Sequence, residues 1–156
     1  MRLFLDINVI LDVLANREPW VENSAAVLSL LESDEFEGVA AAHSVATLFY
    51  LATKHLGQRR ATARLLDLLG LVTVAPLDHD TILKGLTLGW SDFEDALQML
   101  CALAANSDYL VTRNTRHFKS DSISVVTPTE LLAILQSEIE EEEEDEDSSS
   151  SSPGGG

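Results

Sequence analysis

Leu3-Phe4-Leu5-Asp6-Ile7-Asn8-Val9-Ile10-Leu11-Asp12-Val13-Leu14 begins as a short unbroken apolar run that ends on an acid. From Ile7 onward the apolar residues recur at helical spacing, at Ile7, Ile10, Leu11 and Leu14. The stretch therefore reads as a buried strand, an Asp at its carboxyl end, and a helix over residues 7–14.

The same alternation continues along the chain. Pro19 breaks it, and Trp20 to Glu32 recovers a helical period; Gly38 to Ala42 is small and apolar enough for a second buried strand. Ser44 is placed to cap a helix that runs to Leu56 and stops at Gly57, and Ala61 to Leu69 repeats the pattern. Leu71 to Val74, Tyr109 to Thr112 and Ile123 to Val126 read as further strands. Asp78 or Asp80 can cap a helix over 81–88, and Ser91-Asp92-Phe93-Glu94 has capping-box spacing before the apolar helix 96–105. Thr127-Pro128-Thr129-Glu130 opens a last helix. Strands that are apolar throughout and alternate with helices predict an α/β fold: a mostly parallel sheet of about five strands, covered by helices on both faces.

The formal net charge of −16, taken alone, argues against a nucleic-acid partner, because phosphate binding rests on Lys and Arg. The charge is not evenly spread. Nine of the 26 acids fall between Glu138 and Asp147, which leaves 17 acids against all ten bases in residues 1–137. That division predicts one domain over 1–137 and a disordered acidic, Ser- and Gly-rich tail over 138–156. The single Cys101 cannot form an internal disulfide, the chain opens on no secretory signal, and no apolar run nears the ~20 residues of a membrane span. A cytoplasmic location and no membrane partner are expected.

In open parallel sheets ligands bind beyond the carboxyl ends of the strands. The residues there are Asp6 and Asn8, then Ser44 and Thr47, then Thr112, Arg113 and Asn114, and the helix that follows Ser91 adds Asp92 and Asp95 three residues apart on one face. Carboxylates converging with an amide oxygen would repel unless a cation neutralised them, and hard oxygen donors suit Mg2+ or Mn2+. The implied chemistry is metal-assisted phosphodiester hydrolysis. Plainer roles exist for the same residues: Asp6 as a helix N-cap, and Asp92 and Glu94 as caps that complement the helix dipole. Asp95, one turn into an apolar helix, is not explained by capping. Arg113, Arg116 and Lys119 form a basic patch beside Asn114 that suits a phosphate backbone or a solvated loop. His43, His55 and His79 have no zinc-type spacing and are expected on the surface or in the core, and Cys101 is expected in the core.

Four segments in register, Leu5 to Asp12, Arg17-Glu18-Pro19-Trp20, Asp92 to Gln98, and Tyr109 to Asn114 with Phe118, resemble a PIN domain of the VapC-like toxin type. The resemblance covers residues 1 to about 134. It implies a Rossmann-like fold and a metal-dependent endoribonuclease, a hydrolase of phosphodiester bonds that binds RNA. In bacteria such a protein is often a toxin neutralised by a cognate antitoxin, and commonly a homodimer. By position, the resemblance makes Asp6, Asp92 and Asp95 the catalytic and metal-binding acids. Asn114 stands at the last ligand position, where many members have Asp.

The sequence departs from that pattern in places. Thr47 stands near the usual second acid, and His117-Phe118 where related sequences tend to have Asp-Phe. A hydroxyl and an amide in place of carboxylates predict weaker metal binding. The alternative is a PIN fold with weakened catalysis that acts as an RNA- or protein-binding module. A receiver-type phosphoacceptor fits less well, because Arg113-Asn114 and Thr127-Pro128 follow the late strands where a Lys is wanted; a dinucleotide enzyme lacks its Gly-rich turn. Trp20 and Phe49-Tyr50 offer apolar surface for a dimer or, equally, side chains for the core.

Overall fold

A computed structural model describes residues 1–150, with side chains through residue 145. Five strands, β1 (Arg2–Leu5), β2 (Glu37–Ala41), β3 (Val72–Ala75), β4 (Tyr109–Val111) and β5 (Ser124–Val126), form one sheet in the order β3-β2-β1-β4-β5. Every neighbouring pair is parallel, with Phe4 opposite both Val39 and Leu110. The helices are α1 (Ile7–Leu14), α2 (Val21–Leu30), α3 (Ala42–Leu56), α4 (Gln58–Leu71), α5 (His79–Thr87), α6 (Phe93–Ala104) and α7 (Pro128–Ser150).

The pattern of burial follows the apolar runs. One core gathers Leu3, Leu5, Ile10, Val27, Leu48 and Leu131, and the other face of the sheet packs Phe4, Val39, Met99, Cys101, Leu110 and Phe118. Both faces of β1 are thus buried, which is why that strand reads as an unbroken apolar run.

Local details correct several expectations. Ser44 does not cap α3, which already begins at Ala42; Ser44 lies inside the first turn with a buried hydroxyl. Asp78 rather than Asp80 caps α5, accepting the Thr81 N–H at 2.8 Å. Helix α4 runs through Gly70 to Leu71, whereas Gly57 does end α3, at φ 77° and ψ 156°, a conformation that only glycine adopts readily.

The last helix differs most. Its capping box is complete, with the Thr127 N–H on Glu130 Oε2 at 2.8 Å and the Glu130 N–H on Thr127 Oγ1 at 3.1 Å. From that start α7 continues through the acidic run to Ser150, so the described part of the expected disordered tail is helical. Glutamate is a good helix former, and this propensity carries the helix although like charges four residues apart oppose it. The rest of the expected tail, 151–156, lies outside the described residues. Because α7 follows β5, it runs back along α2, and Leu135, Ile139 and Glu142 end up beside Met1 and Phe36 at the amino-terminal edge of the sheet.

Candidate metal-dependent nuclease site

The strand order reverses direction between β1 and β4, and the crevice beyond their carboxyl ends holds the candidate site. Asp6 follows β1 and is 2% exposed. Thr112, also buried, follows β4 and donates its hydroxyl to Asp6 Oδ2 at 2.8 Å. Asp6 occupies the N-cap position of α1, yet its side chain makes no capping bond. Burial raises the Asp6 pKa, outweighing the Thr112 hydrogen bond and the nearby polar groups of Gln98 and Asn8, which lower it. Its second oxygen, Oδ1, is buried without a hydrogen-bond partner.

Helix α6 brings up the other acids. Asp92 Oδ1 accepts the Asp95 N–H at 3.1 Å, so the cap belongs to Asp92 and not to the Ser91–Glu94 pair that the sequence offers. Glu94 is thereby released from capping. It is half-buried, its Oε1 has no partner, and its pKa is raised by burial and then by Asp92 and Asp6. Asp95 is pushed up to about 6, by burial first and by Asp92 and Asp6 next, with His117 opposing. Gln98, fully buried one turn on, accepts the Ile7 N–H on Oε1 at 3.2 Å and turns its amide nitrogen toward Asp95 Oδ1 at 3.5 Å and toward Asp6.

The facing wall is basic. Arg116, His117 and Lys119 line a cleft of about 690 Å³ together with Asp92 and Asp95. Arg113, grouped with them in sequence, is drawn inward: its side chain is 14% exposed, its Nε lies 3.4 Å from the buried Asp12, its Nη2 donates to Asn8 Oδ1 at 3.3 Å, and its guanidinium stacks 4.1 Å from the Trp20 ring centre. Asp12 also faces Arg17 at 3.6 Å and accepts from Ser24. Arg113 therefore braces α1 against β4 rather than lining the cleft, which corrects its reading as part of a free basic patch.

Thr47 does not stand in for an acid. Its hydroxyl bonds back to the His43 carbonyl at 3.4 Å. His43, left to the core or surface by its spacing, sits beside the Glu94 backbone with both ring nitrogens buried and unpartnered, and burial lowers its pKa. Asn114 is exposed at the start of a 3-10 turn, Thr115–His117, with its N–H on Thr112 Oγ1 at 3.1 Å.

Among the described residues no three His, Cys, Asp or Glu side chains are already gathered closely enough to hold a metal ion between them. Mg2+ and Mn2+ do not require such a cluster, since they keep several waters and take one or two carboxylates. The partnerless Asp6 Oδ1 and the mutually repelling carboxylates of Asp6, Asp92, Glu94 and Asp95 fit such an open site.

A five-stranded parallel sheet with an acidic cluster at its switch point and a cationic wall opposite defines a Rossmann-like α/β domain with a charged cleft beyond its strand ends. The PIN domain family model matches residues 2–116, and the chain belongs to that family. It is 23% identical over 134 residues to ribonuclease VapC1 of Aquifex aeolicus, covering 83% of this chain and 92% of that protein. In fold it is similar to VapBC2 of Rickettsia felis, solved on a DNA fragment from their promoter, with a TM-score of 0.61, 18% identity, and 81% and 98% of the two chains covered. VapC20 of Mycobacterium tuberculosis, a toxin that cleaves the sarcin–ricin loop, matches with a TM-score of 0.57 at 12% identity over 69% and 86% of the chains. FitAB on a DNA fragment matches with a TM-score of 0.57 at 22% identity, over 81% and 94%. Among the described residues no helix is long and apolar enough to cross a membrane.

Proposed function

We propose that this PIN-domain protein is a metal-dependent endoribonuclease of the toxin–antitoxin type. The carrying observation is Asp6: a buried carboxylate with one oxygen held by Thr112, the other unpartnered, and two acids nearby, Glu94 and Asp95, whose pKa values are raised by burial and then by the charges of Asp92 and Asp6. Asp6 and Asp95 would hold the divalent cation, Mg2+ or Mn2+, with Asp92 and Glu94 adding negative field. An ion held there would supply Lewis-acid chemistry, activating water for attack on phosphorus and offsetting charge in the transition state. Thr112 and Gln98 fix the two carboxylates, and Arg116 and Lys119 hold the RNA phosphates across the cleft.

A protein partner is part of the reading. Leu66 on α4 and Leu83 and Leu86 on α5 are at least half exposed, as is Tyr50 on α3, leaving apolar surface of the kind that partners cover. The similarity to VapBC and FitAB assemblies makes a cognate antitoxin the first candidate and a homodimer the second, with the complex acting in the cytoplasm.

The test is cleavage of a structured RNA with Mn2+, with chelator, and by Asp6→Asn. Cleavage that needs the ion and is lost in the variant supports the reading; chelator-resistant cleavage overturns the mechanism. RNA binding without cleavage by the folded wild type would support the second reading, a binding module, which the helix back-bond of Thr47 favours.

A further inference from the structure

Two positions at which carboxylates are expected carry Thr47 and Asn114, and neither side chain replaces the lost charge: the Thr47 hydroxyl is turned into its own helix and Asn114 is exposed on the loop. A third departure, His117, does face the acids. Its Nδ1 lies 3.4 Å from Asp95 Oδ2, and its side chain, 58% exposed, opens into the cleft. That separation is longer than the ~2.7–2.9 Å of a charge-assisted N–H···O bond. It is close to the separation of adjacent ligands on an octahedral ion, where two bonds of about 2.1 Å at a right angle place donors roughly 3.0 Å apart.

We propose that His117 is a nitrogen ligand of the cation that Asp95 binds, so that this centre selects Mn2+ over Mg2+. The proposal rests on the metal-dependent reading above and deepens it. Imidazole is a good donor to transition-metal ions and a poor one to Mg2+, which prefers oxygen. An all-carboxylate site accepts either ion. Exchanging a carboxylate for an imidazole leaves Mn2+ bound and penalises Mg2+, and it also lessens the crowding of negative charge around Asp6, Asp92, Glu94 and Asp95. His43, the other imidazole near the acids, is half-buried with its ring nitrogens turned inward beside the Glu94 backbone, and does not line the cleft.

The experiment is calorimetric titration of Mn2+ and of Mg2+ into the full chain and into His117→Ala, His117→Asp, His43→Ala and Asp6→Asn, together with pulsed EPR of the Mn2+-loaded proteins. Wild type is expected to bind Mn2+ more tightly than Mg2+ and to show 14N modulation from a directly bound imidazole. His117→Ala should lose that modulation and about tenfold or more in Mn2+ affinity, His117→Asp should lose the modulation but gain Mg2+ affinity, and His43→Ala should keep both signals. Mn2+ binding that Asp6→Asn abolishes, with 14N modulation absent from wild type or unchanged in His117→Ala, overturns the His117 assignment and leaves the metal site standing. Absence of Mn2+ binding in wild type overturns both. Circular dichroism of each variant confirms the fold, which an exposed position such as 117 should not disturb.

Discussion

Gln98 Oε1 accepts the Ile7 N–H at 3.2 Å, joining the buried middle of α6 to the first turn of α1. The carbonyl being engaged there, its NH2 is left to face Asp95, at 3.5 Å, and Asp6, so that one amide lies between both proposed metal-binding carboxylates. Gln98→Leu keeps the apolar packing but leaves the buried Ile7 N–H without an acceptor and takes an amide donor away from Asp95 and from the neighbourhood of Asp6. The expected cost is about 2–4 kcal/mol in urea unfolding, with weakened Mn2+ binding in the fraction that stays folded. A loss below about 0.5 kcal/mol would show that the amide contributes nothing.

The pH dependence of the metal-free protein follows from Asp95, whose carboxyl is raised from 3.8 to about 6. Between those values the folded state holds a proton that the unfolded state has released, so stability falls as pH rises from about 4 to 6 and then levels off. Asp6 and Glu94, also raised, act in the same direction. A divalent cation bound at the proposed site would replace those protons. Melting curves at pH 5 and pH 7 should therefore show the apo protein more stable at pH 5 where these acids dominate, and Mn2+ should raise the melting temperature more at pH 7. Equal Mn2+ shifts at both values would contradict the placement of the ion among these acids.

Two arginines of one sequence patch should behave differently. Arg113 is packed between Asp12, Asn8 and Trp20, so Asp12→Ala strands its charge and that of Arg17, at a cost of about 3–5 kcal/mol. Arg116 lies exposed in the cleft wall. Arg116→Ala should leave stability within about 0.5 kcal/mol and weaken RNA binding, lowering the salt slope by about 0.7 for each phosphate that the side chain neutralises. Binding isotherms at several salt concentrations, beside denaturation curves, separate the two roles.

What is legible in the sequence is what periodicity and position encode: a strand, an acid, a helix, and Asp92 and Asp95 at a helix start. Glu94 as a member of the acidic cluster is not. Ser91 to Glu94 and Asp92 to Asp95 are overlapping patterns of the same spacing, and only the backbone decides which cap forms. Gln98 and His43 are silent in the sequence because their role lies in what they face across the sheet, which is set by residues some ninety and fifty positions away in the chain. Arg113 reads as part of a basic patch because its partner, Asp12, sits on a helix whose pattern is simply amphipathic. Helix α7 overruns its expected end because intrinsic propensity in the acidic run outlasts the apolar stripe that packs against α2.

The acidic end of α7 bears on the charge balance. As a free tail it would be positioned to compete with RNA for Arg116 and Lys119, but α7 carries it to the amino-terminal edge of the sheet, beside Met1, while the cleft lies beyond the carboxyl edge. Four strand residues separate those edges by about 13 Å, more than one Debye length at physiological salt, roughly 8 Å. Truncation after Gln136 should then change RNA affinity by less than about twofold at about 0.15 M salt. At about 0.01 M salt, where screening extends to roughly 30 Å, the same truncation should strengthen binding, because nine negative charges leave the field that RNA meets. A tail that docks in the cleft predicts the opposite pattern, with a gain that persists at physiological salt. RNA-binding isotherms of the full and truncated chains across that salt range decide between them.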